Sequence, residues 1–194
     1  MAVKSESPAK ERILRVSLDL FGRRGVSGAT VGDIAKKAEC SQAALYKYWE
    51  GKEVLAQELF ESAYERLIRS MEDERDRWEG AVERVTGLLV GFLRFARRNP
   101  KEHALLFQVF HSEYVRWLAG TKKPSDVVAD AIKAATKSGA IPPTNAYLKA
   151  AFALGMTIRL ALFEQQNLVP GISRDQSESE LVQALGAMLR SPGA

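Results

Sequence analysis

Residues 30–52 read TVGDIAKKAECSQAALYKYWEGK. Thr30 suits an N-cap, and Asp33 sits three positions on, where a carboxylate supports the first helical turn. Val31, Ile34, Ala35 and Ala38 follow at helical spacing, enough for about two turns. Glu39-Cys40 interrupts the pattern. Ser41 is a second N-cap, opening a short helix from Gln42 to Tyr48. Two short helices joined by a tight turn predict a helix-turn-helix, whose second helix is built to enter the major groove of DNA.

The second helix carries suitable chemistry. Its start offers Ser41, Gln42, Ala43 and Ala44. Gln can contact adenine through two hydrogen bonds, and Ala can pack on a thymine methyl. Tyr46, Lys47 and Tyr48 follow, with hydroxyls and an ammonium suited to phosphates. Lys52, after Gly51, is expected to hold a further phosphate beside the start of the next helix. Leu45 and Trp49, four apart, should face inward. Cys40 is expected to occupy a buried apolar slot as an inert thiol. The expected DNA-contacting set is therefore Thr30, Ser41, Gln42, Ala43, Ala44, Tyr46, Lys47, Tyr48 and Lys52.

Short helix pairs with such residues also occur in proteins that never meet DNA, so the flanking sequence matters. From Glu11 onward it reads ERILRVSLDLFGRRGVSGATVGDIA. The markers Ile13-Leu14, Leu20-Phe21, Arg24-Gly25, Thr30-Val31, Asp33-Ile34-Ala35, Ala38, Ser41, Leu45-Tyr46, Tyr48 and Lys52-Glu53 resemble the start of the tetracycline-repressor (TetR) family of transcription regulators. The resemblance covers Glu11 to Leu55. Two positions depart from the family pattern: Glu39 stands where Gly is usual, and Trp49 where Phe is usual. The resemblance implies a homodimer whose interface is a four-helix bundle, two helices from each subunit.

Charge is unevenly distributed. Residues 1–52 hold ten Lys/Arg against six Asp/Glu, and the remaining residues hold eighteen of each, so the whole excess of +4 lies in the first quarter of the chain. Such a footprint suits a polyanionic partner, although a merely solvated basic surface would look the same. The 194 residues can bury a proper core, and 46% apolar content is ordinary for a globular chain. One cysteine excludes an internal disulfide and fits a reducing compartment, expected to be the cytoplasm. The first ten residues, MAVKSESPAK, lack the apolar segment of a signal peptide, and no apolar run approaches the ~20 residues of a membrane helix.

The chain reads as all-α, with about nine helices and no convincing strand. Its expected division is a DNA-binding domain over 1–52 and a ligand-binding and dimerisation domain over 53–194. Expected helices run over 9–24, 52–78, 81–98, 101–119, 125–137, 144–167 and 176–190, besides the short pair. In the family, the helix from Lys52 links reader to sensor, and its tilt sets the spacing of the two DNA-reading heads. The helices over 144–167 and 176–190 match the family's dimerisation pair.

Between Lys101 and Ala119 an aromatic stripe runs through Phe107, Phe110, Tyr114 and Trp117, with His111 beside it. On the helix from Thr144, Phe152, Met156, Arg159 and Phe163 share one side, and Leu148, Ala151, Gly155, Ile158 and Leu162 lie towards another. These side chains read either as plain core or as the lining of a pocket with polar anchors. The candidate effector set is Phe107, Phe110, His111, Tyr114, Phe152, Met156 and Arg159, for a small hydrophobic molecule. A buried Arg159 would need a partner such as Glu113 or Glu164, or an acidic ligand.

No phosphate loop, dinucleotide-binding glycine pattern or zinc-protease motif is present, and one Cys with two His makes a metal cluster unexpected. The sequence therefore points to a ligand-responsive regulator, a repressor in its simplest form, on a double-stranded, near-palindromic operator, with no enzyme activity, cofactor, metal or membrane. The rival classes are a helical small-molecule-binding protein and an enzyme.

Overall fold

Residues 7–107 and 122–192 are described in the computed structural model, and every regular element among them is a helix. In chain order these are α1 (Pro8–Arg24), α2 (Val31–Lys37), α3 (Gln42–Tyr46), α4 (Lys52–Arg75), α5 (Ala81–Arg98), α6 (Pro100–Phe107), α7 (Pro124–Lys137), α8 (Ala146–Gln165) and α9 (Arg174–Arg190). The all-α reading is what the chain adopts.

Local punctuation explains the helix starts. Asn145 and Ser173 cap α8 and α9 by accepting from the backbone N–H of Leu148 and Gln176 at 3.1 Å each. Proline opens α1 and α7, where its missing N–H costs nothing. The start of α8 lies two residues beyond the expected Thr144, because Asn145 rather than Thr144 makes the cap bond. Likewise Pro100, expected to end one helix, begins the next.

The described residues form two compact units, 7–64 with 101–107 and 65–100 with 122–192. The boundary between these units falls inside α4, and α6 joins the first unit. The reason is visible at Gly22 of α1: a Cβ there would lie 3.2 Å from the Lys101 carbonyl, so α6 lies directly on α1. Lys101 Nζ also pairs with Asp19 at 2.9 Å. The first unit buries Ile13, Leu20 and Phe21 of α1 with Ile34, Ala35, Leu45, Trp49, Leu55 and Phe60.

The second unit is built on α5, buried almost continuously from Val82 to Ala96 and packed by α7, α8 and α9. Two glycines one turn apart let the end of α4 approach it. A Cβ on Gly91 would stand 2.5 Å from the Ser70 carbonyl, and one on Gly87 2.8 Å from the Trp78 ring. Ser70 Oγ donates to the Gly91 carbonyl at 3.1 Å across this contact.

Helix α8 inverts the usual pattern. Its buried stripe is Ala146, Lys149, Ala150, Ala153, Leu154, Thr157 and Ala161, mostly small residues. Its large residues Tyr147, Leu148 and Phe152 are 52–55% exposed. By length and composition this helix, with mean hydropathy 1.4, could cross a membrane, which corrects the expectation that no apolar run comes near that length. Lys149 ties it into the second unit: its Nζ donates to the carbonyls of Met188, Leu189 and Ser191 at 3.1, 2.8 and 2.6 Å. These are the orphan acceptors at the C-terminus of α9.

Candidate nucleic-acid interface

Thr30 and Asp33 set the start of α2 reciprocally. Thr30 Oγ1 accepts from the Asp33 N–H at 3.0 Å, and the Asp33 carboxylate accepts from the Thr30 hydroxyl and N–H at 2.8 and 3.1 Å. Those bonds from Thr30, the hydroxyl's first, hold the Asp33 carboxyl below the usual aspartate range.

The turn to α3 resolves the unusual Glu39. Its φ is +53°, in the left-handed region where the family places glycine. The Glu39 N–H bonds to the Lys36 carbonyl at 3.3 Å and the Cys40 N–H to the Ala35 carbonyl at 3.0 Å. This paired closure is the Schellman geometry, which needs a left-handed residue at that position. Arg12 Nε adds a bond to the Ala38 carbonyl at 3.3 Å, a partner the sequence did not flag. Cys40 is half-buried rather than buried, because the turn lies at the edge of the unit.

Ser41 Oγ accepts from the Ala44 N–H at 3.1 Å and opens α3. Leu45 is fully buried, and Trp49 is 3% exposed with its Nε1–H donating to Glu58 at 2.6 Å. These anchors turn Ser41, Gln42, Ala43, Tyr46 and Lys47 outward, all exposed, while Ala44 and Tyr48 are half-buried. The outward face is therefore short, polar and free of carboxylates. Gly32 of α2 leaves room beside it: a Cβ there would lie 3.6 Å from the Gln42 amide nitrogen.

Lys52 is placed differently from expectation. Its Nζ donates to the carbonyls of Val26 and Ala29 at 2.9 and 2.8 Å, so the ammonium clamps the loop before α2 instead of projecting toward a phosphate. The spacing of Lys52 from the recognition helix was legible, but a tether to carbonyls more than twenty residues upstream was not.

The described candidate effector residues fall in both units. Phe107 closes the described part of α6, its ring 5.3 Å from that of His103, and belongs to the first unit. Phe110, His111, Glu113, Tyr114 and Trp117 lie outside the described residues. Phe152, Met156 and Arg159 are in the second unit, on α8. Phe152 and Arg159 face outward there, and the Arg159 guanidinium lies 4.4 Å from the Phe163 ring centroid. Arg159 is therefore not a buried charge in need of a partner. Glu164 is engaged elsewhere, by Arg97 at 2.8 Å and Ser177 at 2.5 Å.

Comparison with known proteins agrees with this geometry. The family of bacterial regulatory proteins called the tetR family matches residues 13–59. The nucleoid occlusion factor SlmA of Aliivibrio fischeri strain MJ11 is 31% identical over 119 residues, 56% of this chain and 59% of that protein. The chain thus spans under two thirds of that relative's length. A TetR-like transcriptional regulator from Rhodococcus sp. RHA1 has the same fold, with a TM-score of 0.72 and 20% identity over 92% of this chain and 93% of that one. So does the fatty acid degradation regulator FadR from Bacillus halodurans, at 0.73 and 15% identity over 97% of both chains. Residues 13–59, the segment that folds into most of α1, α2, α3 and the start of α4, are the part of the chain that matches the tetR family of bacterial regulatory proteins.

Proposed function

We propose that this chain is a ligand-responsive DNA-binding transcription regulator, acting as a repressor on a near-palindromic operator. The observation that carries the reading is the outward face of α3, with Gln42, Ala43, Tyr46 and Lys47 exposed and the helix locked from behind by Leu45 and Trp49. Gln42 and Ala43 would read base edges, and Tyr46, Lys47 and the capping hydroxyls of Thr30 and Ser41 would position the backbone. Ala44 and Tyr48 would line the edge of the contact.

The working form in this reading is a homodimer. Tyr147, Leu148 and Phe152 leave an apolar face exposed on α8, and Gly155 has open space around it. A second copy of α8 and α9 would cover this face and pair two α3 helices about 34 Å or somewhat more apart. Phe152 is assigned to that face rather than to an enclosed pocket.

A small hydrophobic effector, lodged along Phe107, Phe110, His111 and Tyr114 with Met156 and Arg159 as further candidates, would favour a dimer whose heads misfit the operator. The fatty acid degradation regulator among the structural neighbours suits an apolar effector. The protein then acts in the cytoplasm, without enzyme activity. A gel shift against the DNA upstream of its own gene tests the reading, with and without candidate effectors. Lys47→Ala is expected to weaken all DNA binding and shallow its salt dependence. Gln42→Ala is expected to relax base preference at a cost of about 1–3 kcal/mol. An unchanged sequence preference in Gln42→Ala would remove its assigned role.

A further inference from the structure

The second half of α4 and the last turn of α5 border a cavity of about 330 Å³. Four arginines line it, Arg66, Arg69, Arg77 and Arg98, against two carboxylates, Asp73 and Glu74. Glu74 is only 6% exposed and is already engaged. It accepts from Trp78 Nε1 at 3.2 Å and pairs with Arg77 at 3.3 Å. Arg94 meets it as well, at 2.9 Å. Its charge is therefore satisfied within the protein. Arg69 and Arg98 are exposed, and neither makes an ion pair among the described residues.

Folding forces this arrangement. Arg66, Arg69 and Asp73 recur at three and four residues on α4, one stripe of the helix. The close approach at Gly91 brings Arg98 of α5 to the same cavity. Several guanidinium groups around one small space repel one another unless an anion joins them. The guanidinium fork matches carboxylate and phosphate oxygens two at a time. The volume lies at the lower end of the ~300–1,000 Å³ typical of small-ligand pockets.

We infer that this cavity binds a small organic polyanion carrying two or more carboxylate or phosphate groups. The site uses none of the residues assigned to DNA, effector or dimer contacts, so it stands or falls separately from that reading.

Isothermal titration of the full chain with citrate and with pyrophosphate, at fixed ionic strength with chloride as the reference, tests it. At least one probe is expected to bind with one site per chain and a Kd below about 1 mM. Binding of citrate alone identifies a carboxylate ligand and of pyrophosphate alone a phosphate ligand; either supports the site. The double variant Arg69→Ala/Arg98→Ala is expected to weaken binding at least tenfold, and Arg84→Ala, outside the cavity, to leave it unchanged. Circular dichroism establishes that the variants are folded, and Arg69→Gln/Arg98→Gln serves if the alanine pair does not fold. Absence of binding by both probes, or undiminished binding in the folded double variant, overturns the inference.

Discussion

Helices α5 and α8 are both apolar and nearly equal in length, 18 and 20 residues, yet they turn opposite kinds of face inward. α5 buries Leu88, Leu89, Phe92 and Leu93 completely and uses glycine where α4 must come close. α8 buries alanines and leaves Tyr147, Leu148 and Phe152 outside. Apolar content alone therefore does not locate a core. What separates the two helices is how near a neighbour comes, and whether the large side chains are covered within the chain.

The sharpest way to break this contrast is to give each helix a larger side chain at its glycine. Gly91→Val would drive its first carbon into the Ser70 carbonyl and the Met71 Cα, 2.5 and 2.8 Å from the Cβ position. The expected loss is about 3 kcal/mol in chemical denaturation, because backbone on both sides must move. Gly155→Val has nothing within 4 Å of its Cβ position. At protein concentrations low enough to keep the chain monomeric, it is expected to change stability by less than about 0.5 kcal/mol. Equal costs at the two sites would mean that the outer face of α8 is packed after all.

Next in size is a charge on that outer face. Phe152→Glu is expected to weaken self-association by about 2 kcal/mol, roughly 30-fold in the dissociation constant, measured by analytical ultracentrifugation. Unfolding of the monomer should hardly change, since the ring is 55% exposed within one chain. An unaltered association constant would dissociate this face from dimer formation.

A third test uses the link between the two helices. Arg97 of α5 grips Glu164 of α8 through two bonds of 2.8 Å, and Glu178 of α9 at 2.8 Å. Burial would raise the Glu164 carboxyl, but hydrogen bonds from Arg97 and Ser177 and the guanidinium charge outweigh it, leaving it below the usual 4.5. A carboxyl lowered on folding stabilises the protein above its unfolded pKa, and that contribution fades as pH falls below about 4.5. The fitted expectation is a stability curve that declines on acidification in the native chain and less steeply in Glu164→Gln. A slope identical in the two would place the acid sensitivity elsewhere, Asp19 and Asp33 in the first unit and Asp76 in the second being further lowered carboxyls.

Much of the fold was legible because the information is local. Thr30, Ser41 and the apolar spacing of α1 and α5 act through neighbours within four residues, and they behave as their chemistry dictates. The outward residues of α3 were legible for the same reason: Leu45 and Trp49 had to face in, so Gln42 and Lys47 had to face out. What escaped was long-range. Lys52 reaches carbonyls of Val26 and Ala29, Arg12 reaches Ala38, and Arg98 joins the arginines of α4 only because Gly91 permits a close approach. In each case the fold carries a long cationic side chain to a place that no spacing rule predicts. The large residues of α8 escaped for a related reason, since a second apolar face was legible but not which face the chain would cover.

The smallest expected effect lies at Glu39, where local and long-range information meet. The family pattern shows glycine there, and the chain supplies a residue that must accept φ +53°. A left-handed conformation costs a side-chain-bearing residue about 1–2 kcal/mol, and glycine's greater freedom when unfolded returns up to about 1 kcal/mol of that advantage. Glu39→Gly is therefore expected to raise stability by about 0.5–1 kcal/mol, read as a small upward shift in Tm. Its carboxylate is exposed and near the recognition helix, so the same substitution also removes a negative charge close to the expected DNA path. Affinity for DNA of any sequence should then rise modestly, most at low salt. A gain in stability without a gain in affinity would show that the acid is only a tolerated replacement for glycine; a gain in both would make Glu39 a residue that holds DNA binding in check at a cost in backbone strain.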